Sequence, residues 1–193
     1  MRLGSSPPAT VGVILAAGGG SRFAGPTHKL LAELDGRPVV AYALDNLLAS
    51  GLDPIAVVTG AVDLSALIPA SFTVLTNSGW EQGQASSLRM AVRWADEIGA
   101  DALVVGLGDQ PSIEPSAWRA VAGTTQTPIS VATYGGRRGH PVRLGRSVWS
   151  LLPTTGDAGA RALLAQSPEL VTEVACDGDP TDVDTVDDLA RWR

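Results

Sequence analysis

Residues 15–29 read Leu15-Ala16-Ala17-Gly18-Gly19-Gly20-Ser21-Arg22-Phe23-Ala24-Gly25-Pro26-Thr27-His28-Lys29. Three consecutive glycines let backbone N–H groups approach phosphate oxygens, and Arg22 and Lys29 bring positive charge beside them. That combination suits a triphosphate; a solvated surface pair is the plainer role for the two cations. Counting excludes two other glycine loops. A dinucleotide-binding frame begun at Gly18 meets Gly20 and then Phe23 where a third glycine belongs, and Val57-Val58 is followed by Thr59-Gly60 instead of an acidic residue. A Walker-type loop requires Gly-Lys-Ser or Gly-Lys-Thr, and neither follows Gly20 or Gly25.

Other segments carry chemistry of their own. Gly108-Asp109-Gln110-Pro111 directly follows an apolar run, which places Asp109 at a strand's C-terminal end, as a cation ligand or as a cap for the helix after Pro111. The 77–87 segment mixes Asn77, Gly83, Ser86 and Ser87 just ahead of a helix, where amides and hydroxyls can hold an anion or a base edge, or simply cap the loop. Trp80 in that segment either stacks on a ring or packs. His140 has no second histidine nearby, which argues against zinc. Arg137, Arg138 and Arg161 are candidates for a phosphate or for solvated surface, and Asp157 for a helix cap. Cys176 is the single cysteine, so it forms no intramolecular disulfide and reads as a small core residue.

Length and charge limit what such a site can belong to. The 193 residues fit one domain, expected over 11–193 behind a flexible tail at 1–10. Lys and Arg number 14 against 20 Asp and Glu, so the net charge of −6 gives no general attraction to nucleic acid or an anionic membrane, and any phosphate site must be local. Residues 1–10 hold one arginine and no signal-like apolar core, and no apolar run nears the roughly 20 residues of a membrane helix; a cytoplasmic location is expected. Aromatics make up only 5%, so the core should be built from small aliphatic side chains.

The elements that must position these groups follow from periodicity. Residues 11–17 and 102–107 are apolar without alternation, the mark of strands covered on both faces. Shorter strands are predicted at 55–58, 72–75, 129–134, 140–144 and 170–175, with a basic five-residue turn at 135–139. Helices are predicted at 38–49, 85–98, from about Glu114, at 158–165 and at 186–191, with a weak helical segment at 64–68. Strands alternating with helices predict an α/β fold, a Rossmann-like three-layer α/β/α sandwich on a mainly parallel mixed sheet. In such a sheet the loops at Gly18 and Asp109 both leave carboxyl ends of strands and face one crevice.

Six segments in order resemble the nucleotidyltransferase family that includes molybdenum cofactor cytidylyltransferase and guanylyltransferase. They are the 15–31 loop with Pro38-Val39, the 77–88 segment, Gly108-Asp109-Gln110-Pro111, Gly139-His140-Pro141-Val142, Gly156-Asp157-Ala158-Gly159-Ala160-Arg161, and 182–189, which together span nearly the whole chain. Leu-Ala-Ala-Gly is more typical of the cytidylyl subgroup than of the guanylyl enzymes. The chain departs from the pattern by having Phe23-Ala24-Gly25 after the loop arginine and one extra residue before Lys29.

The resemblance implies a nucleotide-diphospho-sugar transferase-like fold that moves CMP from CTP to the phosphate of a molybdopterin acceptor, releasing pyrophosphate. Leu15 to Arg22, Lys29, Asn77, Gly83, Ser86, Ser87, Gly108 and Asp109 would hold the nucleotide, with Arg22, Lys29 and Asp109 catalytic. Mg²⁺ or Mn²⁺ would sit on Asp109, with Asp184 or Asp182 completing the site; a helix cap is the other role open to Asp184. Gln110, Pro111, His140, Asp157 and Arg161 would face the acceptor. Transient contact with cofactor-delivery or molybdoenzyme proteins is a further expectation; nucleic-acid and membrane partners are not. A guanylyltransferase, a nicotinamide-dependent oxidoreductase and a non-catalytic nucleotide-binding module are the competing readings.

Overall fold

The computed structural model describes residues 10–157 and 159–190. Strand β1 (Thr10–Ala16) is followed by a small hairpin, β2 (Glu33–Leu34) and β3 (Arg37–Pro38), then α1 (Val39–Ala49), β4 (Ile55–Thr59) and β5 (Phe72–Thr76). The chain continues through α2 (Gln84–Glu97), β6 (Ala102–Leu107), α3 (Pro115–Gly123), β7 (Ile129–Tyr134) and β8 (Arg137–Gly145). It closes with α4 (Arg161–Gln166), β9 (Val171–Ala175) and α5 (Val186–Ala190). Thr10, expected in the tail, opens β1; the rest of that tail, Ala158 of the predicted 158–165 helix and Arg191 of the last helix lie outside the described residues. The weak helical segment at 64–68 is a short 3₁₀ turn, Ser65–Leu67.

Seven strands form one sheet in the order β5-β4-β1-β6-β8-β7-β9, and β8 alone runs antiparallel to its neighbours. β1 is buried beyond Thr10 because helices cover both faces. Val11, Val13 and Leu15 join a core with Leu88, Ala91 and Trp94 of α2, while Ile14 and Ala16 join a second with Leu44 and Leu47 of α1 and Trp118 of α3. Strand glycines let those helices approach: a Cβ on Gly12 would lie 2.5 Å from Leu47, and one on Gly106 2.5 Å from the Trp118 ring. The mainly parallel mixed sheet with helices on both sides agrees with the predicted fold class.

Two local details differ from expectation. Gly135 and Gly136 both have positive φ, +56° and +81°, as a two-residue type I′ hairpin turn requires. The predicted basic turn therefore shrinks to two glycines; Arg137, Arg138 and Gly139 belong to β8, where Arg138 pairs with Glu173 at 2.7 Å instead of standing free for a phosphate. The second is a small third core of Ala32, Leu34, Val39, Val183 and Leu189, which ties the C-terminal segment beneath the β2–β3 hairpin.

The sheet changes winding direction between β1 and β6. β4 and β5 lie on one side of β1, and the chain then returns to place β6 on the other. A ligand crevice opens at such a switch point, outside the strands' carboxyl ends. The Gly108 N–H donates to the Leu15 carbonyl at 3.0 Å, closing the two strand ends together there.

Candidate active site

The glycine loop leaves β1 at this crevice. Gly20 has φ +61°, and its carbonyl accepts from Phe23 N–H at 2.9 Å. A Cβ on Gly19 would fall 2.7 Å from the Trp80 ring, so the loop packs on that tryptophan, which also lines the crevice. From the other side the His28 ring meets the Gly18 carbonyl at 3.0 Å, after which Leu30 is buried in the α1 core.

The extra residue before Lys29 does not turn its side chain away. Lys29 Nζ donates to Asp109 Oδ2 at 2.5 Å and to Asp184 Oδ1 at 2.9 Å, and Arg22 meets Asp184 Oδ2 at 2.9 Å. The Lys29 and Asp109 side chains are only 13% and 15% exposed against 75% for Arg22, so the first pair is little screened and the last is a surface contact. Burial works against the charged Lys29 ammonium, but Asp109 and then Asp184 outweigh it and hold its pKa above the ordinary lysine value.

Neither carboxylate is spent on capping. The N-cap position of α3 is Glu114, with Pro115 in the first turn, while Asp109 is turned to Lys29. At α5 the cap is Thr185 with Asp188: Asp188 Oδ2 accepts from the Thr185 N–H at 2.8 Å, and Asp188 N–H donates to Thr185 Oγ1 at 3.2 Å. Asp184 stands just outside that box, fixed by buried Val183, whose N–H donates to the Asp109 carbonyl at 2.9 Å.

Asp182 lies on the same strap. Gln110 Nε2 donates to Asp182 Oδ1 at 2.7 Å and to the Pro180 carbonyl at 3.0 Å, fastening the strap to the Asp109 loop. Burial, then the Asp109 and Asp184 charges, push the Asp182 pKa up, with the Gln110 bond partly opposing. The donors fit a hard divalent cation. Asp109 and Asp184 already reach a single positive group, and ions such as Mg²⁺ take one or two carboxylates, filling the remaining positions with phosphate oxygens and water.

Part of the 77–87 segment bonds to itself while Trp80, Glu81, Gly83, Gln84 and Ser87 face the crevice. Asn77 is buried; its amide donates to Ser86 Oγ at 2.8 Å and Ser87 Oγ at 3.0 Å, and its Oδ1 accepts from Gly79 N–H at 3.0 Å. Ser86 Oγ donates to the Gly83 carbonyl at 2.8 Å. At the start of α2, Ala85 N–H is taken by the Gly156 carbonyl at 3.0 Å and Gln84 N–H by Asp157 Oδ1 at 3.4 Å. Asp157 thus caps a helix, though α2 rather than the one after it.

These features are shared. Residues 12–171 match the MobA-like NTP transferase domain. The chain belongs to that family of NTP transferases. It is 32% identical to the nicotine blue oxidoreductase of Paenarthrobacter nicotinovorans over 95% of this chain and 96% of the relative. To the molybdenum cofactor guanylyltransferase of Cereibacter sphaeroides it is 34% identical over 67% and 65% of the two chains. Among solved structures, Rv0371c of Mycobacterium tuberculosis superposes with TM-score 0.82 at 31% identity, covering 96% of this chain and 98% of that one. A structure of Rv0371c in complex with manganese matches with TM-score 0.74 at 29% identity over 95% and 97% of the chains. A nucleotidyl transferase from a Methanothermobacter species gives TM-score 0.80 at 25% identity, over 96% of each chain.

Within this NTP transferase the crevice has a volume of about 570 Å³. Leu15 to Arg22, Lys29, Trp80, Gly83, Ser87, Asp109, Asp157, Arg161 and Asp184 line it, and so do Asp182 and four groups not singled out from sequence, Leu30, Glu81, Gln84 and Leu107. Glu81 and Gln84 flank the start of α2, a position that could have marked them. Six expected residues are not part of its wall. Asn77 and Ser86 form the internal knot; Gly108 packs on Ala16, where a Cβ would lie 3.0 Å from the alanine's own; Gln110 and Pro111 are buried behind Asp109. His140 lines a separate small hollow with Leu15, Gln84 and Val142, and burial pushes its pKa down to about 4, with Asp109 opposing and Arg161 assisting, so it is neutral near pH 7. Among the described residues no helix is long and apolar enough to cross a membrane.

Proposed function

We propose that residues 11–193 act as one nucleotidyltransferase domain that moves CMP from CTP to the phosphate of a molybdopterin-type acceptor. The observation that carries this reading is the convergence of Asp109 and Asp184 on the Lys29 ammonium, beside the glycine loop, at the β1/β6 switch point. Amides of 18–21 would take the triphosphate oxygens, with Lys29 and Arg22 beside the β- and γ-phosphates. An acceptor phosphate oxygen forms the new bond to the α-phosphorus; the bond to the β-bridging oxygen breaks, and pyrophosphate leaves with the electron pair. With a second pKa of about 6, the acceptor phosphate is largely ionised at neutral pH, so no protein base is required. Asp109 and Asp184 would hold Mg²⁺, which when bound supplies positive charge across the α-phosphate and the leaving group. Asp157 and Arg161, and His140 behind them, form the acceptor side. Leu-Ala-Ala-Gly at 15–18 favours CTP, while the guanylyltransferase relative keeps GTP as the alternative nucleotide.

A second reading has its own support, the name of the nicotine blue oxidoreductase relative. Against it stand Phe23 in place of the third dinucleotide-loop glycine and the absence of an acidic residue after Val58. Pyrophosphate release from each of CTP, GTP, ATP and UTP, with Mg²⁺ and molybdopterin, tests the proposal. Release from CTP that depends on both additions is the expected result. Oxidation of NADPH without pyrophosphate release from any nucleotide would replace the proposal with the oxidoreductase reading.

A further inference from the structure

We infer that His28 is a positioning residue for the glycine loop, holding the Gly18 carbonyl on one side so that the amide following it faces the phosphates. The inference rests on the reading of that loop as a triphosphate site. Both ring nitrogens are engaged: Nε2 meets the Gly18 carbonyl at 3.0 Å, and Nδ1 accepts from Leu30 N–H at 3.2 Å. Since Nδ1 must accept, Nε2 carries the proton, and the ring is the neutral tautomer assigned by its partners. The Gly19 carbonyl contributes only by opposing the lowering of this ring's pKa, as the Gly18 carbonyl does.

A planar trans peptide points its C=O and the next N–H in opposite directions. Drawing the Gly18 carbonyl to His28 therefore aims the Gly19 N–H away from it, and among the described residues neither that N–H nor the Gly20 N–H has a protein acceptor. At the apex of the loop, a Cβ on Gly20 would lie 3.1 Å from His28 Nε2 and 3.2 Å from Lys29 Cγ, so the loop rests on the segment that carries Lys29. One ring thus sets the direction of the Gly19 amide and the loop's distance from the lysine.

The tautomer makes this arrangement sensitive to acid. A doubly protonated ring has no acceptor for Leu30 N–H, so the bridge fails on that side. Burial lowers the His28 pKa below 6.5, the two carbonyls oppose the shift, and the charged group facing the ring, the Lys29 ammonium, adds to it. Both bonds of the bridge are in place at neutral pH; as pH falls below the ordinary histidine range the Leu30 bond is lost and the ring is held only by its Nε2–H bond to Gly18.

Titration calorimetry of inorganic pyrophosphate and of CTP, each with Mg²⁺, would be run on the wild type, His28→Ala and His28→Gln, with kcat and KM measured in parallel. His28→Ala is expected to weaken pyrophosphate binding and raise the triphosphate KM by about tenfold, with a smaller change in kcat. His28→Gln, whose amide can still donate to the Gly18 carbonyl, should recover much of the binding and lose the acid-side fall in affinity that the wild type shows. Unchanged binding by a folded His28→Ala protein, or the same acid limb in the wild type and His28→Gln, overturns the inference. A wild type that binds neither pyrophosphate nor any nucleotide would instead sink the nucleotidyl reading on which it rests.

Discussion

The 18–29 loop and the 77–87 segment look alike in sequence, both rich in glycine and small polar residues beside a strand end or helix start, yet they use their polar groups differently. In the first, the Gly18 carbonyl is turned to His28 and the Gly19 and Gly20 amides have no protein acceptor among the described residues. In the second, Asn77, Ser86 and Gly79 bond to one another, and the first amides of α2 are taken by Gly156 and Asp157. Buried polar groups must be satisfied. The polar groups a segment satisfies within itself are scaffold, and those it leaves on a crevice are a binding surface.

That contrast sets the order of expected effects. Asp109→Asn removes the carboxylate nearest Lys29 and should lower turnover by at least about 100-fold while the protein stays folded; steady-state rates with a circular dichroism control check it. Gly19→Ala drives a methyl into the Trp80 ring and shifts the loop, so the triphosphate KM should rise by about tenfold or more with little loss of thermal stability. Asn77→Ala should do the reverse, costing about 1–3 kcal/mol of stability by urea titration and leaving KM nearly unchanged at temperatures where the protein is folded. A large KM effect from Asn77→Ala would erase the contrast.

The effect smallest at neutral pH concerns His140. Its folded pKa of about 4 lies below the ordinary 6.5, so the folded state binds the proton less readily than the unfolded chain. The stability this contributes is present above pH 6.5 and is lost as pH falls toward 4. His140→Gln should flatten that part of the Tm-against-pH curve and leave the neutral Tm little changed.

Much of the scaffold was legible because it depends on runs of one residue class. Residues 11–17 and 102–107 had no polar alternation, and both became strands buried between helices. The Gly135-Gly136 turn was misjudged although its rule is local: the basic residues after it suggested a longer loop, whereas two positive-φ glycines suffice. The glycine loop and Asp109 could be paired from sequence because both leave strand ends at one switch point. Asp184 could not be placed that way. Its position depends on Val183 being buried with Leu34 and Val39, a contact across some 150 residues that no local pattern encodes. Asn77 misled for the opposite reason, since composition cannot say whether an amide faces a ligand or its own loop.

The central claim is that this crevice binds a nucleoside triphosphate with a divalent cation, and thermal shift reads it most directly. A ligand that binds only the native state raises the melting temperature. CTP, GTP, ATP, UTP and NADPH would each be added with and without Mg²⁺ to the wild type and Asp109→Asn. The account predicts that CTP stabilises the wild type in a Mg²⁺-dependent manner and that Asp109→Asn loses the Mg²⁺-dependent part. Stabilisation by NADPH alone, equal in the two proteins, would contradict it.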